Sequence, residues 1–85
     1  MNYIFFHDAG HGWLEVPKAE LDQLGIADKI SNWSYKAGDK AYLEEDCDAG
    51  VFVTAKGWTQ QDWKANVLDV YQDPTPIRGY RHLKT

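Results

Sequence analysis

The stretch Tyr3 to Val16, YIFFHDAGHGWLEV, constrains the fold more than any other part of the chain. Tyr3 to His7 reads as one strand and His11 to Val16 as a second, joined through Asp8-Ala9-Gly10. A three-residue hairpin loop needs a left-handed residue at its last position, and Gly10 supplies one without a Cβ penalty. That register sets His7 opposite His11, with Cβ atoms about 5 Å apart. It also sorts the side chains: Ile4, Phe6, Leu14 and Val16 fall on an aliphatic face, the natural core side. Tyr3, Phe5, His7, His11, Trp13 and Glu15 fall on the other.

The remainder supplies short elements of both kinds. Pro17 opens a helix that runs to Leu24 and stops at Gly25, with Leu21, Leu24 and Ile26 as its apolar stripe. Lys29 to Tyr35 and Lys40 to Glu44 read as strands around the turn Lys36 to Asp39. Asp48 to Lys56, closed by Gly57, reads as a helix with Phe52 and Ala55 inward, although Gly50, Val51, Val53 and Thr54 leave a strand open. Trp58 to Trp63 reads as a loop or single turn, with Thr59 and Asp62 in a weak capping arrangement. Asn66 to Gln72 alternates as a strand, and Asp73-Pro74-Thr75-Pro76 breaks it. Ile77 to Leu83 is an edge strand or an extended arm. The expected fold is α+β: one small domain over residues 1–85, an antiparallel sheet of about four strands, and one or two short helices on one face. Residues 74–85 form its proline-broken basic arm.

Composition limits the stabilising devices. An 85-residue chain has a small core, and four Trp, five Tyr and three Phe help to fill it. A lone cysteine, Cys47, excludes an internal disulfide and suits a reducing compartment. The start lacks the pattern of a signal peptide, and no stretch has the apolar length of a membrane span. A cytoplasmic, non-membrane protein is expected. Charge is uneven: residues 1–73 carry all 13 acidic residues against six basic ones, a net of −7. Residues 74–85 carry Arg78, Arg81 and Lys84 and no acid, a net of +3. The body repels nucleic acid and suits a basic partner.

Two clusters are candidate binding residues. The first is the hairpin face of Tyr3, Phe5, His7, His11 and Trp13. The second is the acidic run Glu44, Glu45, Asp46 and Asp48, which serves either as a DNA-mimicking or cation-binding patch or as helix N-terminal chemistry. A metal at His7 and His11 would want further ligands, and no Cys-x-x-Cys or second His pair supplies them. No metal or cofactor is called for. Catalysis by His7 or His11 with Asp8 lacks a recognisable motif, and the four acids around Cys47 disfavour a thiolate nucleophile. A nucleic-acid role would rest on Arg78, Arg81, His82 and Lys84 with Tyr80 to stack, a thin footprint. Neutralising the chain's own acidic patch is the simpler job for the tail.

HDAGHGWLEVPKAELDQLGI and then KISNWSYKAGDKAYLEEDCDAG resemble a family of small domains, without an assigned activity, found in bacteriophages, plasmids and phage-rich bacterial genomes. The family pattern is Gly-His-Gly-Trp-Leu-Glu-Val-Pro, a Leu-Gly-Ile helix end, a Ser-Tyr strand and Tyr-Leu-Glu-Glu-Asp, matched here over residues 7–50. Asn32-Trp33 and Gly50 depart from it. The resemblance implies a mobile-element protein working inside a bacterial cell. With the composition, it leads to the expectation of a small acidic, non-enzymatic binding protein. Its partner is a host protein with a basic surface, self-association being the other way to cover the aromatic face.

Overall fold

The structure, a computed structural model, describes residues 3–84. β1 (Tyr3–His7) and β2 (Gly12–Pro17) form the opening hairpin, and α1 (Lys18–Gln23) follows without a break. A 3₁₀ turn at Ala27–Lys29 leads to β3 (Tyr35–Ala37) and β4 (Lys40–Glu44). Next come α2 (Asp48–Lys56), α3 (Gln60–Asn66) and β5 (Val67–Tyr71). A 3₁₀ turn at Pro76–Gly79 and β6 (Arg81–His82) end the chain. The fold is α+β as expected, with the helices on one face of a sheet ordered β5-β1-β2-β4-β3-β6.

Two features enlarge the expected sheet. β6 adds to β3 as an edge strand. β5 pairs with β1 in parallel, so the sheet is mixed. The chain leaves β4, passes through α2 and α3, and re-enters beyond β1, and a crossover of that length sets strands parallel where a tight hairpin cannot. α3 itself is stabilised by a full capping box, Thr59 Oγ1 accepting from the Asp62 N–H while Asp62 Oδ2 accepts from the Thr59 N–H. The Thr59 and Asp62 signal therefore opens a helix of two turns rather than a loop.

The hairpin register differs from expectation by one residue. Phe6 stands opposite Trp13 and His7 opposite Gly12, so the connection has four residues, Asp8 to His11. Gly10 does not take a left-handed conformation. Asp8 shapes the loop instead, its Oδ1 accepting from the backbone N–H groups of Gly10 and His11, both at 2.9 Å. A slip of one residue exchanges the faces of one strand. Leu14 and Val16 stay in the core, but Tyr3 and Phe5 join them there, while Ile4 and Phe6 turn to the opposite face. Gly12 fits this register: a Cβ there would lie 2.3 Å from Phe5 Cζ.

The helix-side core holds Tyr3, Leu14, Val16, Leu21, Ile30, Leu43 and Phe52, with Trp58 and Trp63 packed against it. Ala49 is the buried alanine of α2, while Ala55 is exposed, contrary to its expected inward position. Gly57 ends α2 in the left-handed conformation at φ 70°. Lys56 Nζ meets Glu20 Oε2 at 2.6 Å and the Tyr3 hydroxyl donates to the same carboxylate, which ties α2, α1 and β1 together. Of the expected strand Lys29 to Tyr35 only its end, Tyr35, enters the sheet. Ile30 is buried below, and residues 31–34 form a turn built on Asp48.

The second face has its own small core of Trp13, Tyr42 and Ile77, flanked by Phe6, Tyr35 and Tyr80. Central strands are apolar on both sides, so both sides need cover. With the helices spent on one face, the C-terminal arm covers the other.

A candidate binding cleft between the acidic loop and the C-terminal arm

β2, β4 and β3 lie side by side, and their register sets Trp13 opposite Glu44 and Tyr35 opposite Tyr42. Past the end of β4 the acidic loop turns away, Glu44 Oε2 accepting from the Asp46 N–H at 3.1 Å. On the other side Arg78 reaches the hairpin loop, its Nε and Nη2 donating to Asp8 Oδ2 and Oδ1 at 2.7 and 3.0 Å. The Arg78 guanidinium also lies 5.3 Å from the Trp13 ring centre. Between these walls is an open cleft of about 400 Å³. Its aromatic lining is Trp13, Trp33 and Tyr35; His11 and Arg78 stand at one side, Glu44, Asp46 and Cys47 at the other.

The two clusters proposed from sequence thus contribute unequally. His11 and Trp13 from the hairpin meet Glu44 and Asp46 from the acidic run. Glu45 is exposed, but its Oε2 lies over Gly12 on the Phe5 side, away from the cleft. Tyr3 and Phe5 belong to the helix-side core. His7 stacks on Phe5 at 5.7 Å and meets Tyr71 edge-on at 5.3 Å, so the two histidines are not a cross-strand pair. His11 lies beside Trp13 instead, at 6.1 Å. Among the described residues no three His, Cys, Asp or Glu side chains are grouped to hold a metal ion.

Asp48 is a structural carboxylate. It is 2% exposed and accepts from the Ser31 N–H, the Ser31 hydroxyl and the Ser34 hydroxyl. Ser34 Oγ in turn accepts from the Glu44 N–H at 3.0 Å. This network fixes the turn that carries Trp33 and the end of β4 that carries Glu44. The carboxylate at the start of α2 does its work between segments, not as an N-cap.

Electrostatics distinguish the two ends of the cleft. Hydrogen bonds from Arg78 and then from the Gly10 and His11 backbone hold the Asp8 carboxyl well below the usual range. The Arg78 guanidinium is raised by the same contact. That pair is satisfied within the chain, but by Asp8 of the hairpin loop and not by the acidic run Glu44 to Asp48 that the tail was expected to neutralise. Trp13 is 3% exposed, and its Nε1 is buried with no hydrogen-bond partner. Below the cleft, burial and then the hydrogen bond to Glu15 push the Tyr42 hydroxyl up.

The sequence does not mark Trp33 or Tyr35 as site residues, and it offers Cys47 only as a disfavoured nucleophile and Arg78 only as a nucleic-acid contact. Trp33 is 71% exposed, which alternation across a supposed strand does not reveal. Arg78 had only its charge as a signal, since its partner lies 70 residues away.

No family model, no curated protein and no solved structure matches the chain. Among the described residues no helix is long and apolar enough to cross a membrane.

Proposed function

We propose that the protein is a small binding module, not an enzyme, that recognises a basic surface on another protein through this cleft. The observation that carries the reading is the meeting of three aromatic rings with Glu44 and Asp46 in one open depression. Aromatic anchors with a charged rim are the usual composition of a binding hot spot. The uneven charge supports the same choice of partner, because the acidic body steers cationic surfaces and the chain's own Arg78 is held by Asp8. A host protein in the bacterial cytoplasm, modulated by a phage or other mobile element, is the setting that fits the sequence resemblance. Nucleic acid is a poorer fit, since Arg78 is committed within the chain.

The test compares immobilised wild type with a Glu44→Gln/Asp46→Asn variant in bacterial lysate. The reading expects a basic protein held at low salt by the wild type, released as salt rises, and lost from the variant. Equal capture by both would refute it.

A further inference from the structure

We propose that the cleft is an arginine-recognition site: it takes one arginine side chain of the partner, together with an adjacent backbone carbonyl. This inference rests on the binding-module reading above and assigns its chemistry. Glu44 and Asp46 supply acceptors on one wall, and Trp33 supplies an exposed ring; Tyr35 also lines the cleft, with one face stacked on His82 at 4.6 Å. A planar guanidinium uses both at once, stacking on a ring and forking onto a carboxylate, whereas an ammonium does neither so well. The chain already shows this chemistry internally, in Arg78 donating to both Asp8 oxygens while lying 5.3 Å from the Trp13 ring.

The second observation is independent of the acids. Trp13 stands in the cleft wall, and its Nε1 is a donor that no protein group accepts. Buried polar groups are nearly always paired, so an orphan donor at a cleft points to an acceptor supplied from outside. A peptide carbonyl next to the bound arginine is such an acceptor. The Nε1 atom is shielded from water in a ring that packs with Tyr42 and Ile77, so contact requires that cover to loosen. Trp33 lines the same cleft, is 71% exposed and lies outside both core clusters.

The experiment titrates the full chain with N-acetyl-arginine N-methylamide and follows the four tryptophan indole N–H signals by NMR. The expected result is a saturable shift of the Trp13 indole signal with a Kd on the order of 1 mM, as suits one side chain. The uncharged isostere N-acetyl-citrulline N-methylamide should bind at least about tenfold more weakly, since it loses the charge-assisted bonds. Agmatine, which keeps the guanidinium but lacks the carbonyl, should leave the Trp13 signal in place. Glu44→Gln should weaken the arginine probe several-fold. Glu45→Gln changes net charge equally but faces away, and should leave binding within about twofold. Trp33→Ala, at an exposed position that spares the core, should also weaken it. Equal binding of arginine and citrulline probes, equal effects of the two glutamine variants, or an unmoved Trp13 signal would each overturn the proposal. If the basic lysate partner is still captured and lost on Glu44→Gln/Asp46→Asn, the binding-module reading survives that failure. If capture fails as well, both fall.

Discussion

Replacing Asp48 by alanine separates a structural acid from a binding acid. The carboxylate is almost fully buried and accepts three hydrogen bonds from Ser31 and Ser34. Hydrogen bonds to a charged acceptor contribute roughly 1.5–3 kcal/mol each in net terms. Their sum overstates the loss, because alanine also removes the cost of burying a charge. Ser31 is half-buried and its donors regain water, whereas Ser34 is fully buried and its hydroxyl proton is left without an acceptor. That orphan, the lost Ser31 bonds and the void together give about 3–5 kcal/mol. A chain of this length has about 4–13 kcal/mol in total, so the variant should be marginal. Urea unfolding followed by tryptophan fluorescence measures the loss. Ser34→Ala in the same background should cost less than it does in wild type, with a coupling of about 1–2 kcal/mol. A loss below about 1 kcal/mol for Asp48→Ala, or full additivity with Ser34→Ala, would refute the network as the support of the Trp33 turn.

Four further outcomes follow from the packing and the ion pairs. Leu14→Asp should abolish folding, because the side chain is fully buried and an unpaired core carboxylate costs several kcal/mol; circular dichroism reads it, and a wild-type melting curve would refute the core assignment. The Asp8 carboxyl is depressed in the folded protein, so its contribution is present above the ordinary aspartate range and is lost as pH falls through its folded value. Acid should therefore release Arg78 from Asp8, and Asp8→Asn should flatten the low-pH limb of a stability profile. Tyr42 and Tyr3 are raised by burial and by Glu15 and Glu20, so folding favours their neutral forms and that contribution is lost only as pH rises past the ordinary phenol range. An ultraviolet titration should show late-ionising tyrosines, and Tyr42→Phe should remove one of them. Ile77→Ala should cost about 2–4 kcal/mol and raise exchange at the Trp13 indole, because Ile77 seals the second face; unchanged exchange would mean that the arm covers nothing.

Local chemistry was legible wherever neighbours in sequence settle it. Gly57 closes α2 at Lys56 because a left-handed residue satisfies its last carbonyls, and Asp48 to Lys56 forms a helix over those bounds. The turn between β3 and β4 follows from Gly38, and the break after β5 from two prolines. Leu14, Val16, Leu21 and Phe52 reach the core as their pattern implies. The α+β class rests on such signals, and so do the acidic body and basic arm.

Contacts between distant segments were not legible. The register of the opening hairpin depends on Asp8, whose carboxylate is held from the loop on one side and by Arg78 on the other. A strand shows which of its residues share a face, but pairing alone decides which face of β1 joins which face of β2, and one residue of slip reverses the answer. The parallel place of β5 depends on the crossover through α2 and α3, and the cover over Trp13 depends on an arm at the far end of the chain. The cleft combines both kinds of contact. Its acids and hairpin residues carry their chemistry in the sequence, but Glu44 stands near Trp13 because pairing with β2 sets it there at the end of β4, whereas Glu45, in the turn just past the strand, lies over Gly12 on the other side.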